Sequence, residues 1–389
     1  MTRQLQSRVW GGSAVEYLIW TPEVMSTKFI VNALGSAGPV FIYGPEAAGK
    51  TILVNELVAD WAAGKHGGDV LTGSLSPHKS YRALSDKFRA MLTSKTMISS
   101  KKRIHLFVDD VNAGNVAQKD SAMASEMIRQ LLSDKSIYDP ETRTLLKNKH
   151  LNATVVHTES TPNRKLDPRF LTHFAFYKLL PPTMLQQQSI FQAVFEANAA
   201  TAVPSMDIVQ IVAASINIFD SLKKHLNSPN ADVRHSFSLR HLSRLIISLA
   251  HAPTEAMLTS AAGNLFCHEV TRIFGDRLRR SEDKFAFDII LEEFASKCSL
   301  SGERSATDAL FGDLQWSEQT LFPAAYRQYR KENMDVPFAE AVTNWATVSG
   351  MRTADGDPIS MPADSFSRIL QLSRIVAKPR GHAVVFGPA

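Results

Sequence analysis

The stretch FIYGPEAAGKT, Phe41–Thr51, carries the residue types that grip a phosphate, spaced as a phosphate loop spaces them: glycine, four residues, then Gly-Lys-Thr. In such a loop successive backbone N–H groups point inward, and the following helix adds the positive end of its dipole. Gly44, Pro45, Glu46, Ala47, Ala48 and Gly49 would form the cradle, Lys50 would reach the β- and γ-phosphates, and the Thr51 hydroxyl would coordinate Mg²⁺. Further along, IHLFVDDV ends an apolar run on Asp109, the place where a carboxylate holds Mg²⁺ directly or through water. Asp110 follows where a catalytic carboxylate polarises the attacking water, but it is one methylene shorter than glutamate. Taken singly, the loop also reads as a strand-to-helix turn and the Asp pair as a solvated strand end. Together they read as a Mg²⁺–ATP or Mg²⁺–ADP site.

The elements around these residues suit that chemistry. Pro39–Tyr43 is a short apolar strand pattern, and Ile52, Leu53, Leu57, Val58 and Trp61 recur at helical spacing behind the loop. Further strand patterns lie at 69–75, 103–111, 152–158 and 173–179, with helices over Tyr81–Thr93 and Ala117–Ser133. Strand–helix alternation of this kind predicts an α/β fold of the P-loop NTPase type, a parallel sheet with helices on both faces. From about Pro182 four amphipathic helical patterns follow (184–200, 206–226, 238–252 and 261–280) and predict an all-α lid subdomain. On the third, Leu239, Leu242, Leu245, Ile246 and Leu249 form the apolar face and leave Arg240 outside it. SLSGERSATDALFGDLQWSE is polar and irregular and reads as a connector. A helix at DSFSRILQLSRIVAK then leads into GHAVVFGPA, a strand running into glycine, as the opening one does.

Composition bounds the function. The 389 residues, 44% hydrophobic and 21% charged, suffice for two or three packed domains. Two cysteines, Cys267 and Cys298, argue for a reducing compartment rather than a disulfide framework. The first residues lack the apolar centre of a signal peptide, and no apolar run reaches membrane-spanning length. The net charge of +5 is spread over short clusters, SSKKR and RLRR, without interleaved aromatics, so no nucleic-acid or membrane partner is expected.

Longer stretches resemble dynein heavy chains, and within them the third AAA+ module of the motor ring. LFVDDVN (106–112), DPRFLTHF (167–174), FSLRHLSR (237–244), CHEVTRIFGDRL (267–278), ALFGDL (309–314) and KPRGHAVVFGPA (378–389) carry the resemblance in order along the chain. It implies an incoming linker at 1–27, a large nucleotide-binding subdomain at 28–181 and a lid at 182–300. A connector at 301–350 and the truncated start of a fourth module at 351–389 would follow. It also makes Arg169 an arginine finger acting on the preceding module, and Arg240 the sensor-II arginine that closes the lid onto the γ-phosphate.

This sequence departs from the family at three places. Ala47 stands where the loop usually has glycine, Thr172 where a second arginine follows RFL, and His157 or Thr158 where a sensor-I polar residue is expected. These departures imply a regulatory site that holds nucleotide and hydrolyses it slowly. The rival readings are a silent AAA+ wedge in the ring and a free-standing AAA+ remodelling ATPase. As a dynein segment, the chain would work with neighbouring modules of the same heavy chain, with intermediate and light chains, and with the microtubule through parts outside it. Minus-end-directed movement and a cytoplasmic, cytoskeletal, axonemal location in cilia or flagella would follow.

Overall fold

The computed structural model describes residues 5–9, 15–63, 68–76, 81–93, 103–114, 119–139, 143–147, 151–158, 166–199, 205–226, 237–252, 262–278, 280–297, 309–316, 321–330, scattered positions between 340 and 350, and 365–376. These form two compact units, one of Leu18–Thr183, the other of Leu5–Tyr17 together with the chain from Met184.

In chain order the elements up to Thr183 are β1 Leu5–Val9, β2 Val15–Ile19, α1 Pro22–Ala37, β3 Val40–Gly44, α2 Lys50–Ala62, β4 Gly68–Ser74, α3 Tyr81–Thr93, β5 Arg103–Asp109, α4 Asp120–Asp134, β6 Ser136–Asp139, β7 Thr144–Lys147, β8 Leu151–Thr158, the single turn α5 Pro168–Leu171 and β9 Ala175–Lys178. Five of these strands make one sheet in the order β4-β5-β8-β3-β9. Every pairing in it is parallel, as expected of strands that alternate with helices. The five strand patterns read from the sequence are these five strands. Val40, Ile42, Leu106, Val108, Ala153 and Val155 are fully buried, the double-sided burial that makes parallel strands near-continuous apolar runs.

The inserted position of β8 matters most for the site. It separates the loop-bearing β3 from the acidic β5, so the two chemistry-bearing strand ends flank a third. In register, His157 pairs with Tyr43 and Thr158 with Gly44. Both sensor-I candidates therefore sit at the level where the loop begins.

Helix α1 was not anticipated, although its start carries ordinary signals. Thr21 accepts from Val24 N at 3.3 Å, Pro22 opens the helix and Glu23 is in its first turn. Lys28 ties it to α2, with Nζ 3.0 Å from Glu56 Oε1 and 2.7 Å from Asp60 Oδ2, and lies over the Trp20 ring. The antiparallel β6–β7 ribbon was also unforeseen.

The second unit is helical. It contains α6 Met184–Asn198, α7 Ser205–Leu226, α8 Leu239–Ala250, α9 Ala262–Ile273 and α10 Ser281–Lys297, followed by β10 Ala309–Trp316, β11 Leu321–Arg330 and α11 Ser365–Val376. Helix α6 packs on α7 and α8, with α9 against α8 and α10 against α7. The core includes Phe195, Phe219, Leu242, Leu245, Ile246, Leu249, Phe274 and Phe287. Leu239 is only half-buried, whereas His241 and Ser248 join the inner face as polar members. The stretch read as irregular is corrected here, because 309–316 pairs antiparallel with 321–330. A shift of register between Gly312 and Leu314 breaks the alternation that would have marked a strand. The GHAVVFGPA stretch lies outside the described residues.

Candidate functional site

The loop leaves β3 at Gly44, whose φ is +156° and where an added Cβ would come within 2.2 Å of the Leu179 carbonyl oxygen. Only glycine fits there. Gly49, which precedes α2, has φ +95° with open space around it, so backbone conformation alone selects it. Ala47 also lies in the left-handed region, at φ 58°. The position where the resemblance implies glycine therefore has a positive φ here, and alanine holds it at a cost of about 1–2 kcal/mol.

Lys50 is the first residue of α2 and is buried. Its ammonium donates to the carbonyls of Gly44 (2.9 Å) and Pro45 (2.6 Å), which fixes the charge along the loop. Thr51 Oγ1 donates to Asp109 Oδ2 at 2.8 Å, and the Asp110 amide donates to Asp109 Oδ1 at 3.0 Å. Burial, with the Asp110 carboxylate beside it, pushes Asp109 above the usual aspartate range, while the bonds from Thr51 and the Asp110 amide and the charge of Lys50 pull the other way.

A hydroxyl and a carboxylate meeting at the first turn of a helix are the hard oxygen donors that Mg²⁺ takes. Among the described residues no group of three or more His, Cys, Asp or Glu converges. A Mg²⁺ ion at Thr51 and Asp109 would thus complete its shell with phosphate oxygens and water, in the usual mode for this ion. The residues fit the ion; once bound, it would neutralise charge on the phosphates.

Asp110 follows the end of β5 with φ 51°, and its carbonyl accepts from Ala113 N at 2.8 Å in the turn that follows. Aspartate and asparagine are the non-glycine residues that tolerate this conformation best. The backbone therefore gives a reason for aspartate here. His157 stands one strand away, its ring 5.7 Å from that of Phe41.

Residues 44–51, Asp109 and Asp110 thus come together in one place. Arg169 belongs to the same unit but sits on α5, exposed, with its amide donating to the Asp167 side chain at 2.8 Å. Thr172, at the place where the resemblance implies a second arginine, donates its hydroxyl to the Arg169 carbonyl at 2.9 Å. Arg240 is the second residue of α8 in the other unit and is exposed. Beside it is a residue that the sequence reading passed over. The buried His241 Nδ1 accepts from the Ser238 amide at 3.0 Å, and its ring meets the Arg277 guanidinium. Burial and the charges of Arg277, Arg244 and Arg240 hold its pKa down at about 4. Ser-x-x-His at a helix start was the available signal, a variant of the capping box.

Residues 12–182 match the family described as "P-loop containing dynein motor region", and residues 190–284 match "Dynein heavy chain, ATPase lid domain". Dynein axonemal heavy chain 6 of Homo sapiens is 30% identical over 202 residues, covering 50% of this chain and 5% of that protein. "Dynein-1-beta heavy chain, flagellar inner arm I1 complex" of Chlamydomonas reinhardtii is 22% identical over 394 aligned positions, 95% of this chain and 8% of its own length. Dynein axonemal heavy chain 5 of Rattus norvegicus is 21% identical over 394, covering 93% and 11%. The chain therefore spans between 5% and 11% of the length of these relatives. With the loop and its acidic partner inside the first of these matches and a helical lid inside the second, the chain belongs to the dynein heavy-chain family.

Proposed function

We propose that this chain is the third AAA+ module of a dynein motor ring, a regulatory site that binds Mg²⁺–ATP or Mg²⁺–ADP, hydrolyses it slowly and gates coupling between neighbouring modules. The observation that carries this reading is the assembled binding half of the site: Lys50 fixed along the loop, and Thr51 in contact with Asp109. The slow-hydrolysis part rests on Ala47 and Asp110, both held at positive φ, and on the short reach of the Asp110 carboxylate. Arg240 would contact the γ-phosphate from the lid, and Arg169 would reach the preceding module's nucleotide. Nucleotide state would then bias the angle between the α/β unit and the lid.

In the whole heavy chain the partners would be the adjoining modules, intermediate and light chains, and the microtubule, reached through parts outside these residues. The names of these relatives favour an axonemal chain of cilia or flagella, which would work toward the minus end. The strain at Ala47 gives weight to a second reading, a module that keeps the fold as a wedge and binds nothing.

Equilibrium ATP binding to the chain separates the two. The regulatory reading expects saturable, Mg²⁺-dependent binding that Lys50→Ala abolishes while the fold is kept. No binding at millimolar ATP by folded protein would leave the wedge.

A further inference from the structure

On α4, Glu126, Arg129, Gln130 and Ser133 recur at intervals of three and four and share one stripe of the helix. Arg129 grips Glu126 with both arms of its fork, Nε to Oε2 at 2.8 Å and Nη2 to Oε1 at 2.6 Å. Gln130 Nε2 adds a third bond to the same carboxylate at 3.2 Å. At the end of the stripe, Ser133 Oγ lies 3.2 Å from His173 Nε2. Phe170 is buried in the same core as Met127, Ile128 and Leu131 of α4. The turn carrying Arg169 is therefore held against α4 by the buried Phe170 and by His173. The electrostatics agree: Glu126 is held below its usual range by the Arg129 fork first, then by Gln130 and by the charge of Arg169.

A carboxylate bound by two arms of a half-buried arginine, with an exposed arginine on the turn that packs against the same helix, has the geometry in which such forks take phosphate. We propose that Arg129 and Arg169 together form a two-guanidinium site for the polyphosphate of the nucleotide held by the preceding module, with Glu126 as the resident counter-ion that this polyphosphate displaces. Arg129 thereby supplies the second guanidinium that Thr172 does not. The proposal rests on the trans role given to Arg169 above and adds Arg129 and Glu126 to it. Glu126 neutralises Arg129 in the absence of ligand and makes its fork available only where a strong polyanion competes.

The test is a titration of the chain with inorganic triphosphate, following the guanidinium Nε–Hε NMR signals of Arg129 and Arg169. The expected result is that both signals move with a common dissociation constant. Glu126→Gln should tighten that constant several-fold and Arg129→Ala should weaken it several-fold at the Arg169 signal. Arg129→Lys, which keeps the charge without the fork, should recover only part, and Thr172→Arg in the Arg129→Ala background should restore it. Movement of Arg169 alone, or affinity indifferent to Glu126→Gln, overturns the paired site and leaves the trans role of Arg169 standing. If neither signal moves while the loop residues respond, the trans role itself fails and the proposal with it.

Discussion

Thr51 Oγ1 and Asp109 Oδ2 stand 2.8 Å apart, joining the first turn of α2 to the end of β5 across the intervening β8. Burial and the neighbouring Asp110 carboxylate, opposed by this contact, set the pH behaviour of the metal site. Asp109 is raised above the ordinary aspartate range, so its proton competes with Mg²⁺ at pH values where an exposed aspartate would already be ionised. Mg²⁺-dependent ATP affinity should therefore keep rising with pH beyond the usual carboxylate window, and Asp109→Asn should leave only the rise due to ionisation of the terminal phosphate of ATP. Binding measured at fixed Mg²⁺ from pH 4.5 to pH 7.5 checks this. A flat profile for the unmodified chain would contradict it.

Ala47→Gly should relieve left-handed strain of about 1–2 kcal/mol and give back roughly half of that through the greater freedom of the unfolded chain. The expected net is a gain of about 0.5–1 kcal/mol in denaturant unfolding, with tighter ATP binding. Unchanged affinity would show that the alanine does not tilt the loop amides.

Asp110→Asn keeps the tolerated backbone geometry and removes the candidate base, so an already slow turnover should change less than about threefold. Asp110→Glu restores reach and should speed hydrolysis, at a stability cost of about 1 kcal/mol from a longer side chain at φ 51°. Single-turnover rates with matched unfolding curves separate the two effects. A large rate loss in Asp110→Asn would make this module an engine.

In the lid, Arg272 Nη2 donates to Ser248 Oγ at 2.9 Å and Nε to Glu269 Oε2 at 3.1 Å, and Glu269 is fully buried. Arg272→Ala takes the cation away from that buried carboxylate and should cost about 3–5 kcal/mol. Replacing both with apolar residues, Arg272→Met with Glu269→Leu, should cost far less. Thermal midpoints of the single and double variants report the difference.

His241 has its folded pKa depressed to about 4 from an ordinary 6.5. A depressed cation means that the unfolded chain takes up the proton first. The stability it contributes is full above pH 6.5 and is lost as pH falls toward 4, amounting to on the order of 3 kcal/mol. Denaturant midpoints of the chain and of His241→Gln should converge as pH drops through this window.

The five sheet strands and the helix behind the loop were legible because apolar runs and helical spacing are local properties. So was the meeting of residues 44–51 with Asp109, since these sit at fixed offsets from strand ends. The position of β8 between β3 and β5 was not legible, because strand order is set by packing rather than by any one strand. Helix α1 escaped because its inner face is sparse: Val31 and Gly35 are buried, while Met25 and Phe29 are exposed. The Glu126–Arg129 pair was invisible for another reason. Charges three apart on a helix are common, and what distinguishes this pair is the neighbouring turn that the fold brings to it.

The three left-handed positions of the phosphate loop also bear on how such a site can drift. At Gly44 a carbonyl of another segment forbids any side chain, so the first step away from glycine breaks the loop. Gly49 has open space around it, and Ala47 already carries a methyl group; at both, the only objection is conformational. A lineage can therefore wear down such a loop by small reversible steps at its centre, dimming the chemistry while the entrance stays locked and the fold remains recognisable.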